Sequence, residues 1–153
     1  MEETELVYVT YISTTPQRIW DAILRPEFTR EYWGHENLSD WKPGSSWEHR
    51  EPHGGKLNIV GKVLEVDPPR RLVLSWAATA QAKDPSSYSR VTFQIEPMEG
   101  DMVRLTVTHD GLAPDSDMKR MVGNGWPRVL SSMKSYLETG KGLNIWAKEL
   151  ARS

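Results

Sequence analysis

The chain has 153 residues, no cysteine and a formal net charge of −2, from 19 basic and 21 acidic residues. This length is typical of one domain. The lack of cysteine excludes disulfides, thiol chemistry and a thiolate metal site. The basic residues form no continuous stripe, which argues against nucleic acid as a partner. No apolar run approaches the ~20 residues that span a bilayer, and the first residues are acidic, unlike a secretory signal, so we expect a cytoplasmic protein with no membrane partner.

The first third of the chain predicts a strand followed by two short helices. Residues 6–12 are mostly β-branched or aromatic, which favours a strand. Thr15 followed by Pro16 is typical of a helix start, because the threonine caps free N–H groups and the proline needs no donor in the first turn. Pro26 ends this helix, and residues 27–32 form further turns before Gly34.

The middle of the chain predicts an antiparallel sheet. Residues 41–45 form a turn with a short strand on each side, the second at 46–50. Four further strands are predicted, at residues 57–66, 72–77, 88–96 and 102–110. Short turns join most of them, which favours antiparallel pairing, while residues 78–85 are expected to form a mobile loop.

A long helix is predicted near the C-terminus. Asp115 or Ser116 caps it, and apolar residues then recur at helical spacing, namely Trp126, Val129, Leu130, Met133, Tyr136 and Leu137. Because two glycines and Pro127 interrupt this pattern, we expect a break or kink near Trp126 and a cleaner helix from Pro127 to Thr139, stopped by Gly140. Residues 143–153 carry a shorter amphipathic pattern, which is expected to dock on its own domain or on a neighbour.

This order of elements predicts an α+β fold. A curved antiparallel sheet of about six strands wraps around the long C-terminal helix, and a short helix pair follows strand one. Alternation predicts three inward rows of side chains: Leu72, Leu74 and Trp76; Val91, Phe93 and Ile95; and Leu105, Val107 and His109.

The space between sheet and helix is the candidate site. We expect a largely apolar cavity lined by Trp33, Trp76, Phe93, His109, Trp126, Leu130 and Met133. His109 is open to two interpretations, a histidine that is hydrogen-bonded at a sheet margin or a polar anchor for a ligand. The four histidines, at positions 35, 49, 53 and 109, lack the spacing of a metal site, and we expect neither metal nor cofactor.

Acid–base chemistry would need a polar pair beside this cavity. The strand at 46–50 places Trp47 and His49 on one face and Glu48 on the other. His109 with Glu48, or Tyr11 with Arg50, are the candidate pairs, and they favour no single reaction.

Five segments together carry a family resemblance: Thr15 to Ala22, Val63 to Pro69, Leu105 to His109, Gly125 to Leu130 and Tyr136 to Gly140. They resemble bacterial proteins related to the C-terminal domain of the activator of the heat-shock-protein-ninety ATPase. That family belongs to the START-like (SRPBCC, birch-pollen-allergen-like) superfamily, which has the helix-grip fold. The resemblance implies one START-like domain over residues 1–153, with a core at 5–142 and residues 143–153 as an extra helical tail.

The resemblance leaves three functions open, and members of the family are mostly carriers or sensors of hydrophobic molecules. The first is a non-enzymatic protein whose internal cavity binds a hydrophobic, aromatic or lipid-like molecule. The second is a stress-response co-chaperone that stimulates a heat-shock ATPase, and the third is a cyclase or hydratase acting on an aromatic polyketide-like substrate. The loop at 81–87 and the tail after residue 142 match no family motif and are expected to shape a pocket mouth or a homodimer contact.

Overall fold

A seven-stranded antiparallel sheet forms the centre of the protein, whose computed structural model describes residues 4–147. The strands are β1 (Leu6–Ser13), β2 (Glu36–Ser39), β3 (Ser46–Arg50), β4 (Leu57–Asp67), β5 (Arg71–Ala78), β6 (Ser89–Met98) and β7 (Met102–Asp110). Their order across the curved sheet is β1-β7-β6-β5-β4-β3-β2. The predicted total of about six is one strand short, but the prediction of a short strand before the turn at 41–45 is confirmed by β2, which pairs with β3 at the sheet edge.

Three helices complete the fold, namely α1 (Pro16–Leu24), α2 (Pro26–Trp33) and α3 (Asp117–Thr139). The predicted caps are confirmed, since the Thr15 side chain accepts from the Arg18 N–H and the Ser116 side chain accepts from the Lys119 N–H. Two single 3₁₀ turns, Thr79–Gln81 and Pro85–Ser87, occupy the segment predicted to be a loop. Within residues 4–147, none of the helices combines the length and apolarity needed to cross a membrane.

Helix α3 continues through Pro127 without the predicted break. Proline has no N–H to donate to the carbonyl four residues earlier, which belongs to Gly123. The Tyr8 hydroxyl donates to this Gly123 oxygen at 3.3 Å and supplies the missing partner from strand β1. A contact from a distant part of the sequence therefore stabilises a helix that local propensity would interrupt.

The core lies between α3 and the concave face of the sheet. All nine residues of the three predicted inward rows are buried, and so are Trp126, Val129, Leu130, Met133 and Leu137 on the facing stripe of α3. The predicted α+β helix-grip arrangement, with a short helix pair after strand one, is confirmed.

The described part of the tail packs on its own domain, which is the first of the two predicted alternatives, the second being a neighbouring molecule. Ile145 is buried, and its carbonyl accepts from Arg128 at 3.0 Å. The Trp146 indole N–H donates to the Trp33 carbonyl at 2.8 Å. The predicted helical turns are not formed over residues 141–147, and the rest of the predicted tail, 148–153, lies outside the described residues.

Candidate ligand-binding cavity

A cavity of about 440 Å³ lies between strands β3 to β5 and the first half of α3, and the end of α2 and the tail close its sides. Its lining consists of Trp33, His35, His49, Glu51, Asn58, Ile59, Trp76, Ala78, Met121, Val122, Gly125, Trp126, Val129 and Trp146. Ligand pockets in proteins commonly measure about 300–1,000 Å³, so the space suits a small organic molecule.

Four indole rings dominate the wall. The Trp126 ring centroid lies 5.5 Å from that of Trp33 and 5.7 Å from that of Trp76, within the range of favourable aromatic contacts. Trp33, Trp76 and Trp126 are buried, whereas Trp146 is 49% exposed and stands at the mouth. The wall therefore combines a rigid aromatic interior with one aromatic ring at the entrance.

Most of the indole N–H groups are committed to protein acceptors. Trp126 donates to His109 Nδ1 at 3.0 Å, Trp76 donates to Met118 Sδ at 3.3 Å, and Trp146 donates to the Trp33 carbonyl. Among residues 4–147 the Trp33 Nε1–H has no acceptor, so it remains able to donate to a guest. The other three rings are fixed in orientation by their hydrogen bonds.

His49 is held neutral on the floor of the cavity. The Asn37 amide N–H donates to the Ile23 carbonyl at 2.9 Å, which leaves the Asn37 oxygen to accept from His49 Nδ1 at 2.7 Å. His49 Nδ1 therefore carries the proton, and Nε2 keeps its lone pair. Burial lowers the pKa of His49 well below its usual value, and the His35 ring, stacked at 4.5 Å, lowers that pKa further.

A β-bulge shapes the wall next to His49. Strand β3 pairs His49 with Ile59 and Arg50 with Leu57, so Asn58 is the extra residue of β4. Bulges re-aim side chains, and here both Asn58 and Ile59 line the cavity instead of pointing to opposite faces. The Asn58 Oδ1 atom is buried with no hydrogen-bond partner in the described part of the chain.

The charge on the lining is a single carboxylate. Glu51 is the one Asp, Glu, Lys or Arg among the described lining residues, and its side chain forms no ion pair with any residue from 4 to 147. It is exposed and lies at the start of the β3–β4 turn. The cavity therefore carries negative charge at its edge and neutral aromatic rings within.

The structure divides the seven predicted site residues between the wall and the layer behind it. Trp33, Trp76 and Trp126 line the cavity. The other four are buried outside its lining, namely Phe93, His109, Leu130 and Met133. Phe93 supports the wall by an edge contact with Trp126 at 5.9 Å. A ligand contact by any of the seven stays a prediction.

His109 belongs to a buried hydrogen-bonded chain. It accepts from Trp126 at Nδ1, so its neutral ring donates from Nε2 to Ser89 Oγ at 2.7 Å, and Ser89 donates to the Trp76 carbonyl at 3.3 Å. Burial lowers the pKa of His109 to about 4, although Asp110 acts in the opposite direction. Of the two sequence interpretations, the observed hydrogen bonds match the histidine bonded within the sheet.

Neither predicted acid–base pair forms. Glu48 accepts from Arg50 at 2.8 Å on the face opposite His49, whereas His109 is bonded to Ser89 and Trp126. Tyr11 lies on β1 and Arg50 on β3, with four strands between them. The described residues contain no group of three His, Asp or Glu side chains placed to hold a metal ion.

Sequence reasoning missed several lining residues, chiefly His35, His49, Glu51, Asn58, Met121 and Trp146. The alternation of β3 does place His49 on the inward face beside Trp47, and that signal could have found it. The bulge at Asn58 leaves no mark in the alternation of β4. The position of Trp146 depends on how the tail packs.

A second cavity, of about 500 Å³, lies between β3 to β5 and the segment 79–88. Its lining is more polar and includes Glu48 and Lys62, which carry opposite charges, beside the Tyr88 ring. The aromatic cavity is therefore the better candidate for an apolar guest.

The family model described as Activator of Hsp90 ATPase homolog 1-like protein matches residues 13–138. The solution structure of the Aha1 dimer from Colwellia psychrerythraea is similar with a TM-score of 0.75 and 22% identity, over 90% of this chain and 98% of that one. The crystal structure of CalU16 from Micromonospora echinospora has a TM-score of 0.69 and 23% identity, over 92% of this chain and 77% of that one.

PFC0360w, an HSP90 activator from Plasmodium falciparum, has a TM-score of 0.67 and 19% identity, over 80% of this chain and 87% of that one. At these identities the three structures show a common fold, and no curated protein matches the chain. Because the family model covers most of the sequence, the protein belongs to the family of Activator of Hsp90 ATPase homolog 1-like proteins.

Proposed function

We propose that this protein binds a small hydrophobic or aromatic molecule in the tryptophan-walled cavity and does not transform it. The observation that carries the proposal is a space of about 440 Å³ with three buried indoles on its wall. Moving apolar surface out of water contributes roughly 25 cal/mol per Å², so an apolar guest gains free energy along most of this wall.

The polar groups of the wall favour binding over catalysis. His49 is kept neutral by burial, and its Nδ1 proton is committed to Asn37. His109 uses both ring nitrogens within the protein. A general base needs a pKa near the working pH, whereas burial lowers the pKa of both histidines, and His109 in addition has no free ring nitrogen.

The test fills the cavity from α3. A Cβ at Gly125 meets only the Trp146 ring, at 4.0 Å, so alanine fits there and a larger side chain extends into the cavity. We expect Gly125→Leu to weaken binding of the neutral dye prodan at least tenfold, with Gly125→Ala as the matched control that binds like the wild type. Fluorescence titration measures the affinities.

Two further measurements make this test decisive. Thermal unfolding establishes that the leucine variant is folded, which we expect because both substitutions replace glycine by a better helix former. Native mass spectrometry of the freshly purified wild-type protein identifies any guest retained from the cell. Equal prodan binding by Gly125→Leu, or no binding of prodan by the wild type together with no retained guest, contradicts the proposal.

A co-chaperone role is the second candidate, favoured by the family match and by the Plasmodium protein described as an HSP90 activator. It predicts that the purified protein raises the ATP turnover of a heat-shock-protein-ninety chaperone. An unchanged turnover at saturating protein removes this candidate and leaves the binding proposal intact.

We also propose a homodimer, since the related Colwellia protein is a dimer. The outer face of edge strand β1 exposes Val7, Val9 and Tyr11, which is an apolar surface suited to a second copy. Analytical ultracentrifugation measures the mass in solution, and Val9→Lys is expected to favour the monomer. A wild-type monomer at high protein concentration contradicts this assembly.

A further inference from the structure

We propose that the guest is an organic cation, an ammonium group on an apolar body, and that the rings of Trp76, Trp126 and Trp146 form a cage around its charge. This inference rests on the proposed binding function and narrows it to one chemical class. Three features of the cavity carry it: the indole faces, the charge of the lining and the state of the histidines.

The indole faces come first. A cation is attracted to the negative face of an aromatic ring, most strongly to tryptophan, and repelled by an N–H that points at it. Three of the four indole N–H groups are bonded to protein acceptors, at Met118, His109 and the Trp33 carbonyl. The hydrogen bonds thus direct those N–H groups into the protein and leave ring surface for the guest.

The charge of the lining points the same way. Glu51 is the one formal charge on the wall among the described residues, and no described Lys or Arg lines the cavity. The nearby Arg50 is bonded to Glu48 on the other face of β3, and Arg128 is bonded to the Ile145 carbonyl. An anionic guest would meet a carboxylate without a compensating cation, whereas a cationic guest gains an unpaired partner.

The histidines offer a lone pair. Because His49 is neutral and donates through Nδ1, its Nε2 can only accept, and an ammonium N–H or a polarised N–CH₃ is a suitable donor. His35 Nδ1 lies 3.3 Å from the Trp33 carbonyl, so in its neutral form it likewise keeps Nε2 as an acceptor. Two stacked imidazoles thus add acceptors to the aromatic wall.

Trp146, one ring of the proposed cage, lies outside the residues that the family model matches. The family match ends at residue 138, and the tail beyond it supplies this ring. The Trp146 indole contacts Gly34, where a Cβ would approach its Nε1 to 3.2 Å, and it donates to the Trp33 carbonyl. The preference for a cation is therefore expected to depend on a segment outside the family core.

The experiment compares three ligands of one shape. Benzyltrimethylammonium is cationic, neopentylbenzene is its neutral carbon isostere, and phenylmethanesulfonate is an anion of similar size. Isothermal titration calorimetry or quenching of tryptophan fluorescence gives each affinity for the full chain. We expect the cation to bind about tenfold more tightly than the neutral isostere, and the anion to bind most weakly.

Variants assign this preference to the cage. Trp146→Leu is expected to reduce the ratio of cation to neutral affinity about fivefold, whereas Trp146→Phe keeps a ring and most of the preference. Glu51→Gln is expected to weaken cation binding about threefold and leave neopentylbenzene unchanged. Glu99→Gln, in the β6–β7 turn at the opposite end of the strands, changes the net charge equally and should leave all three affinities unchanged.

The outcomes separate this inference from the function on which it rests. Equal or tighter binding of the neutral isostere, or an affinity ratio that Trp146→Leu and Glu51→Gln leave unchanged, overturns the cation inference but not the binding function. Binding of prodan with no binding of the three ligands also overturns the cation inference. Failure of prodan and all three ligands, with no guest retained from the cell, overturns both.

Discussion

Acidification is expected to destabilise the protein through His109, which lies at the junction of α3 and the sheet. Its side chain is 0% exposed, and its two ring nitrogens join Trp126 of α3 to Ser89 of β6. Protonation at Nδ1 places a proton where the Trp126 N–H already donates, so the chain of hydrogen bonds cannot accommodate the charged ring. Folding and protonation of His109 therefore oppose one another.

The magnitude follows from the difference between the two states. The pKa of His109 is lowered to about 4 in the folded protein by burial, against about 6.5 in an unfolded chain. Above pH 6.5 both states hold a neutral ring and the free energy of unfolding is unaffected. Between pH 6.5 and 4 the unfolded chain binds the additional proton, and stability falls by about 1.4 kcal/mol per pH unit, or about 3 kcal/mol in total.

Urea denaturation at pH 7.5, 5.5 and 4 measures this loss. His109→Gln cannot titrate; it is less stable than the wild type at pH 7.5, but its stability should fall about 3 kcal/mol less between pH 7.5 and pH 4. His53→Asn, in the exposed β3–β4 turn with a φ of 61°, is the matched control and should keep the wild-type pH dependence. The comparison cancels the carboxylates that also titrate in this range.

A direct titration can refute the reasoning. NMR of the ring carbons gives the pKa of His109, and a value near 6.5 would show that the folded protein accepts the charged ring. Equal losses of stability by His109→Gln and the wild type between pH 7.5 and pH 4 would refute it as well.

Two further predictions concern backbone contacts. Tyr8→Phe leaves the Gly123 carbonyl without its donor and should lower the free energy of unfolding by about 1 kcal/mol. In a Pro127→Ala background, where the backbone N–H is restored, the same substitution should cost less. An equal cost in both backgrounds contradicts this explanation of the intact helix. Gly61→Ala should destabilise by more than about 4 kcal/mol, because its Cβ would lie 1.8 Å from the Ser75 carbonyl oxygen. A thermal midpoint within a few degrees of the wild type, measured by circular dichroism, would contradict the second prediction.

The predictable parts of the fold are those with a local signal. The period-two pattern of Val91, Phe93 and Ile95 fixes the inward face of β6, because successive side chains of a strand alternate whatever the rest of the chain does. Thr15 and Ser116 cap helices through N–H groups three residues away. Such features depend on a few neighbouring residues.

The parts that could not be predicted depend on contacts between distant segments. The turn at 41–45 predicted a short strand before it, but the bonds that hold β2 in place, such as Asn37 to His49 and Arg30 to Glu36, could not be predicted from local patterns. Pro127 by itself predicts a helix break, but the Tyr8 hydroxyl donates to the Gly123 carbonyl that the proline leaves without a partner. Tyr8 and Gly123 are 115 residues apart in the sequence. For the site, the tryptophan-rich composition suggested an aromatic lining, but tertiary packing determines which of the rings face the cavity.

The two histidine networks bear on the proposed binding of a guest in the cavity. His109 fixes the Trp126 ring from behind, and Asn37 fixes His49 on the floor. Side chains held in one orientation lose little entropy when a guest arrives, so this part of the wall contributes affinity without a large ordering cost.

On this proposal, the selectivity for a guest depends on exposed residues at the mouth of the cavity, which contribute little to the core. Glu51 and Met121 are exposed, and Trp146 is half exposed on a tail outside the family match. A substitution at these positions alters the charge or shape of the mouth while the two histidine networks and the core remain in place. If the proposed binding function holds, relatives with the same fold are expected to bind guests of different charge, because the groups proposed to select the guest are separate from the groups that hold the wall.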